Sequence, residues 1–175
     1  MVDYANTETW ILANGKKLTL RHIAPDDAVK EQAFVRKLSA QSRYLRFHGS
    51  IKELNEDDLK TFTNPDPRNA EALIILCKGD INEEEIGVAQ FAIDPDGKSC
   101  EFAIVVADEW QKHGLGRKLM NVLINHAQSR GIKRIYGQVL RDNSDMRKFV
   151  KGLGFKETTD PDDSSIILVT KYLRD

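Results

Sequence analysis

Apolar residues between Glu101 and Arg130 follow first a strand pattern and then a helix pattern. Residues 101–106 are dense in β-branched and aromatic side chains, which is typical of a buried strand. After a turn at residues 107–110, apolar side chains recur at helical spacing, at Leu115, Leu119, Val122, Leu123 and Ala127. Gly131 follows as a natural helix stop. The pattern predicts a strand, a glycine-containing loop, and a helix that begins at the glycines.

The rest of the chain alternates between the same two patterns. Helices are predicted from Pro25 to Leu38, from the cap residue Asn55 to a break at Asn64, and from Asp142 onwards. The predicted strands lie at residues 10–12, 17–21, 71–77, 86–93, 134–140, 155–157 and 166–170, the first two joined by an Asn-Gly turn. The acidic run at residues 83–85 is predicted to be a solvated turn. This order of elements predicts a mixed α/β sheet.

Length and charge narrow the class of protein. At 175 residues, the chain is expected to form a single domain over residues 1–175. Its formal net charge of −1 and pI near 6.4 do not show the excess of basic residues that is typical of nucleic-acid-binding proteins. No apolar run reaches the roughly 20 residues that a membrane helix needs, and residues 1–4 lack the pattern of a signal peptide. We therefore expect a cytoplasmic protein without a nucleic-acid or membrane partner.

The two cysteines are not candidates for chemistry. Cys77 and Cys100 lie within predicted strands, without a nearby Cys or His at metal-binding spacing. Buried, reduced thiols are the expected state, and no metal site is predicted.

The glycines at the predicted helix start suggest an anion site. The first N–H groups of a helix are unpaired and carry partial positive charge, so glycines there let the backbone close around a phosphate. A P-loop would end in Gly-Lys-Ser or Gly-Lys-Thr, whereas here Gly116 is followed by Arg117 and Lys118. A dinucleotide fingerprint would need a small residue in place of Leu119. Both of these classes fit poorly. One alternative is that the glycines only allow a tight turn between strand and helix and that the loop binds no ligand.

A third class fits this loop. Val106 followed by Gln111-x-x-Gly114-x-Gly116 resembles the coenzyme A loop of the GNAT N-acetyltransferases. The resemblance implies acetyl-CoA as cosubstrate and a mixed, mostly antiparallel sheet flanked by about four helices. It also implies that strands 101–106 and 134–140 splay apart to hold the pantetheine arm. The implied cofactor-binding residues are Ile104, Val105, Val106, Gln111, Lys112, His113, Gly114, Leu115, Gly116, Arg117 and Asn143.

Residues 38–49 carry a narrower resemblance. Ser42-Arg43-Tyr44-Leu45-Arg46-Phe47 is similar to a segment of the GNAT domain in bacterial Pat-type protein acetyltransferases, where it borders the acceptor site. The alternative is a helix-to-loop connector with packed aromatic residues and solvated arginines. The resemblance implies a protein substrate with an exposed lysine, for example an acyl-CoA synthetase.

Acetyl transfer to an amine requires a base. A lysine amine has a pKa of roughly 10.4, so at neutral pH only about one molecule in a thousand is reactive. Glu101 shares one strand face with Ala103 and Val105, and it resembles the glutamate of lysine acetyltransferases in this superfamily. We predict Glu101 as the general base, the alternative being a solvated glutamate at the start of a strand.

The group that returns a proton to the thiolate is less clear from the sequence. Many GNAT enzymes place a tyrosine where this chain has Val150, so a tyrosine acid is not implied here. Tyr136 and Tyr172 are the unproven substitutes, and proton return by water is the interpretation we favour. The sequence thus predicts an acetyl-CoA-dependent acetyltransferase of protein lysines, a monomer or homodimer. Its rivals are a small-amine acetyltransferase and a non-catalytic acyl-CoA sensor.

Overall fold

Eight strands form one sheet in the order β1-β2-β3-β4-β5-β6-β8-β7. The computed structural model describes residues 7–174. The strands are β1 Glu8–Ile11, β2 Lys17–His22, β3 Ala70–Lys78, β4 Glu83–Ile93, β5 Ser99–Val106, β6 Arg134–Leu140, β7 Lys156–Thr159 and β8 Ile166–Tyr172. Neighbouring strands are antiparallel except for β5 and β6, which are parallel. The predicted mixed α/β class, with a mostly antiparallel sheet, is confirmed.

Five helices accompany the sheet in the described part of the chain. They are α1 Ala28–Lys37, α2 Ala40–Phe47, α3 Glu56–Thr63, α4 Leu115–Ser129 and α5 Ser144–Gly152, with short 3-10 turns at Pro25–Asp27 and Asp108–Trp110. The helix beyond the four that the resemblance implies is α2. It lies in the segment 38–49, for which a helix-to-loop connector is the alternative prediction. It forms because Ser39 caps it, the Ser39 Oγ accepting a hydrogen bond from the Ser42 N–H at 3.1 Å. None of the described helices is long and apolar enough to cross a membrane.

The core lies between α4 and the central strands. Of the apolar face that the spacing of α4 predicts, Leu115, Leu119, Leu123 and Ala127 are almost fully buried and Val122 is partly buried. Met120, which is not part of the prediction, is also fully buried there. The helix contacts β3, β4 and β5. Burying each large aliphatic side chain contributes roughly 1.5–3 kcal/mol, so this face fixes the start of α4 against the end of β5. Cys77 and Cys100 are also buried and unpaired, as predicted.

The parallel pair β5–β6 separates along its length. Only Ser99, Cys100 and Glu101 of β5 pair with β6, and the last pair joins Glu101 to Tyr136. From Phe102 onwards, β5 remains paired with β4 alone. A Cβ atom at residue 137 would lie 2.7 Å from the Phe102 ring, so Gly137 gives this ring the space it occupies beside β6. The predicted splay of these two strands is therefore present, with Glu101 at its closed end.

The prediction of a solvated turn at residues 83–85 is wrong about the turn and about Glu85, whereas Glu83 and Glu84 are exposed as predicted. All three glutamates belong to β4, and Glu85 is only 6% exposed. Glu31 of α1 lies beside it, 3% exposed, and three of the four carboxyl oxygens have no hydrogen-bond partner among the described residues. Burial and the neighbouring Glu31 raise the pKa of Glu85 well above its ordinary value. The error arises because α1 covers this end of β4, which local charge does not reveal.

We expect Glu85→Gln to stabilise the protein at alkaline pH. A raised carboxyl pKa means that the folded state binds the proton more tightly, so stability falls as pH rises above the ordinary value of 4.5. The amide removes this loss and should raise the free energy of unfolding by about 1–3 kcal/mol at pH 8, with little effect at pH 4. Urea unfolding at the two pH values measures the difference. Glu83→Gln, at an exposed position of the same strand, is the control, and equal effects at both pH values would contradict the interpretation.

Candidate active site

A cavity of about 460 Å³ lies between the start of α4 and the separated part of β5. Most of the predicted cofactor-binding residues line it: Ile104, Val105, Val106, Gln111, Lys112, Gly114, Gly116, Arg117 and Asn143. Two predicted residues do not. Leu115 is buried in the core, where its side chain packs, and His113 is exposed outside the cavity. A cavity of this size is typical of small-molecule sites in enzymes.

The glycine loop forms one end of the cavity. Gly114 precedes α4 with φ +83°, a left-handed conformation that favours glycine, and it offers no side chain to cap the helix. Lys112 also has a positive φ of 62°, so the loop turns sharply between Gln111 and the helix. The first N–H groups of α4 are therefore not capped by their own N-cap residue and lie where an anion can reach them.

Side-chain hydrogen bonds hold the loop in this shape. The Gln111 Nε2 donates to the Val106 carbonyl oxygen at 2.9 Å, which ties the loop back to the end of β5. The Asp108 carboxylate accepts from the hydroxyls of Ser39 and Ser42, both at 2.7 Å, and from the Ser39 N–H at 2.9 Å. Burial alone would raise the pKa of Asp108, but these hydrogen bonds outweigh it and lower the pKa. The start of α2 is thereby fixed against the Asp108–Trp110 turn that precedes the glycine loop.

A second cavity of about 50 Å³ lies in the split between β5 and β6. Phe102 and Ala103 line it from β5, and Gln138 and Val139 line it from β6. The residues that line both cavities are Leu45, Arg46, Ile104, Asn143 and Met146. The two cavities therefore meet, and together they lead from the glycine loop into the strand split.

Glu101 stands at the closed end of the split and lines neither cavity. It is partly buried. Burial raises the pKa of this carboxyl, the nearby charge of Asp94 raises it further, and Arg46 partly opposes both. A raised carboxyl pKa makes the ionised group a stronger base, which is the property that proton abstraction from an ammonium group requires.

The two tyrosines are poorly suited to donate a proton. The Tyr136 hydroxyl lies 3.1 Å from both oxygens of Asp94, and burial together with this carboxylate raises its pKa to about 12. Tyr172 is 73% exposed at the end of β8. Val150 is fully buried in the core. None of these three positions therefore offers an acid to the cavity.

Several residues that line the cavity are not among the predicted cofactor-binding residues. Gln41, Ser42, Leu45 and Arg46 reach it from α2, and Asp145, Met146 and Phe149 reach it from α5. The similarity of residues 42–47 to Pat-type enzymes was the available signal for α2. Asn143 was predicted, and it also caps α5 by accepting a hydrogen bond from the Met146 N–H at 3.1 Å. Arg117 lines the cavity and also donates to the Gly152 carbonyl oxygen at 3.4 Å.

Three side chains away from the cavity have the composition of a metal site. One ligand atom each from His22, Glu71 and His126 lies within 4.8 Å of the others. Both imidazoles contact the same Glu71 oxygen, and the Arg130 Nη1 lies 3.7 Å from the other oxygen. Burial would raise the pKa of Glu71, but the two histidines lower it to about 2. Hydrogen bonds and charge pairing thus satisfy the cluster, and none of its members lines either cavity.

Comparison with known proteins identifies relatives in sequence and in fold. The profile of the Acetyltransferase (GNAT) family matches residues 35–155. An acetyltransferase of Pseudomonas aeruginosa is 31% identical over 161 residues, which cover 91% of this chain and 87% of that protein. The acetyltransferase Pat of Mycolicibacterium smegmatis is 43% identical over 55 residues, 31% of this chain but only 16% of Pat. The crystal structure of the GNAT domain of S. lividans PAT superposes with a TM-score of 0.86 at 24% identity, covering 99% of this chain and 100% of that one.

Proposed function

The chain belongs to the GNAT family of acetyltransferases, and we propose that it transfers the acetyl group of acetyl-CoA to lysine side chains of a protein. The observation that carries this proposal is the split between β5 and β6. The split opens directly after the pair of Glu101 and Tyr136, and its cavity joins the larger one at the glycine loop. A carboxylate at one end and an anion-binding helix start at the other suit a long thioester donor.

The proposed binding mode follows the length of β5. The first N–H groups of α4, at Gly114 to Arg117, bind the pyrophosphate of CoA. Main-chain groups of Ile104, Val105 and Val106 on the open edge of β5 bind the amides of the pantetheine arm, as an edge strand binds a peptide. Asn143 also lines the cavity. This arrangement brings the thioester towards the split and the carboxylate of Glu101.

The proposed reaction is a direct transfer. Glu101 takes a proton from the lysine ammonium, either directly or through one water molecule, and the free amine attacks the thioester carbonyl. The absence of a tyrosine acid at Val150 and the engagement of Tyr136 by Asp94 support proton return to the thiolate from water.

The protein acceptor is supported by the wall that α2 forms. Ser42, Leu45 and Arg46 of this helix line the larger cavity, and they belong to the segment that resembles Pat-type enzymes. The match to M. smegmatis Pat and the fold shared with the GNAT domain of S. lividans PAT agree with this choice.

Intact-protein mass spectrometry tests the proposal. An AMP-forming acyl-CoA synthetase is incubated with acetyl-CoA and either this protein or its Glu101→Gln variant. We expect mass increments of acetyl groups that depend on the wild-type protein and disappear with the variant. If acetyl-CoA binds by calorimetry but neither this synthetase nor a panel of lysine-bearing proteins is acetylated, the protein-lysine assignment fails and a small amine becomes the acceptor to test.

A further inference from the structure

Arg46 lies where the two cavities meet. It lines both the larger cavity and the small cavity in the strand split, and so do Ile104 and Asn143. A pantetheine arm that follows β5 from the glycine loop would pass Val106 and Val105 before it reaches this junction. The sulfur of the thioester would therefore lie beside the Arg46 side chain.

The guanidinium is held in place without using its hydrogen-bond donors. Its Cζ atom lies 4.8 Å from the centre of the Phe47 ring and 5.9 Å from that of Phe62. Within the described residues, Arg46 donates no hydrogen bond, and no carboxylate oxygen lies within 4.0 Å of its nitrogens. Stacking on aromatic rings orients a cation while leaving its N–H groups available. The Arg46 side chain is thus a preorganised donor whose N–H groups have no hydrogen-bond acceptor among residues 7–174.

Two carboxyls and one imidazole lie near Arg46. The nearest carboxyls are Glu31 on α1 and Glu101 on β5. Burial raises the pKa of Glu31, which shares its site with Glu85. Burial and the charge of Arg46 lower the pKa of His48, the C-cap residue that follows α2, so this imidazole is neutral at pH 7. Arg46 is therefore the group that can meet a developing negative charge at the junction.

We propose that Arg46 is a further catalytic residue, which binds the sulfur of CoA as it leaves as a thiolate. The inference rests on the proposed acetyl transfer. In that step the C–N bond forms, the C–S bond breaks, and the electron pair of the C–S bond passes to sulfur. Glu101 accepts one proton from the lysine ammonium and releases it to solvent, the nitrogen loses its second proton to water as the amide forms, and a proton from water later neutralises the thiolate. A fixed cation at the leaving atom stabilises charge that exists only late in the reaction, which is the condition for raising kcat.

The thiol of bound CoA reports on this contact without any acceptor. CoA is bound to the wild-type protein, to Arg46→Met and to Arg36→Met, and thiolate formation is followed by ultraviolet absorbance against pH, with the spectrum of the free protein subtracted. Arg36 is an exposed arginine paired with Glu53, so its variant removes the same charge away from the site. We expect the thiol to titrate about one pH unit or more below that of free CoA in the wild type and in Arg36→Met, and near the free value in Arg46→Met. Burial raises the pKa of Cys100 to about 12, so this internal thiol does not interfere.

The possible results separate the two proposals. If CoA binds but its thiol titrates equally in the wild type and Arg46→Met, the role of Arg46 is overturned. If CoA does not bind to the wild type at all, the proposed function fails instead. If Arg46→Met does not fold, Arg46→Lys replaces it, because lysine retains a cation and should keep most of the lowering of the thiol pKa. A thiol pKa equal to that of free CoA in a folded Arg46→Lys would count against the proposal.

Once an acceptor is known, Arg46→Ala should lose about a hundredfold in kcat at similar KM for acetyl-CoA, and added guanidinium should restore part of the loss.

Discussion

Replacing Glu101 with glutamine is expected to lower the turnover number about a hundredfold or more. The amide has nearly the same shape as the carboxylate but cannot accept the proton of the amine, so the loss falls on the chemical step. Glu101 lines neither cavity, and the affinity for acetyl-CoA should therefore stay close to that of the wild type. Steady-state kinetics with saturating acceptor, together with calorimetry of acetyl-CoA binding, measures both quantities.

The pH dependence provides a second signature of the same residue. Burial and the charge of Asp94 raise the pKa of Glu101, and only the ionised form acts as a base. Activity of the wild type should therefore rise with pH through this raised pKa, and Glu101→Gln should lack that limb. Glu83→Gln changes an exposed glutamate on the neighbouring strand and should behave as the wild type does. Unchanged turnover of Glu101→Gln at saturating acceptor would remove Glu101 from the mechanism.

The parts of the fold that the sequence predicted are those with local causes. The strand that contains Phe102 and Ile104 and the amphipathic face of α4 follow from side-chain spacing. The last helix begins close to Asp142, as predicted, because Asn143 caps it. The split beyond Glu101 came from the family resemblance, since strand pairing depends on contacts distant in sequence.

The parts that the sequence did not predict depend on tertiary packing. Glu85 belongs to a run of three glutamates and is buried only because α1 crosses β4 at that point. Arg46 resembles any amphipathic helix residue until Phe47 and Phe62 fix its guanidinium and the cavity opens beside it. Tyr136 is a candidate acid by sequence, but in the structure its hydroxyl donates to the carboxylate of Asp94. The roles of these three polar side chains depend on burial and on neighbours distant in sequence, which composition and local pattern do not reveal.

Gly116→Glu should abolish the binding of acetyl-CoA. Gly116 is in the first turn of α4 and lines the cavity, so the new carboxylate would occupy the space proposed for the pyrophosphate and repel it. The fold should persist, because an acidic side chain in the first turn of a helix is favourable. We expect no binding heat by calorimetry and an unfolding temperature close to that of the wild type.

Gly116→Ala is the matched control for this substitution. A Cβ at this position would lie 3.6 Å from the Phe149 ring and 3.8 Å from Val106, which are ordinary contact distances. The alanine variant should therefore fold normally and keep its affinity for acetyl-CoA within about tenfold, since its backbone N–H remains in place. Loss of binding in Gly116→Glu alone would locate the effect in the added charge and length. Retained binding in Gly116→Glu would contradict the assignment of this helix start as the pyrophosphate site, because no anion can share that space with a carboxylate at low cost.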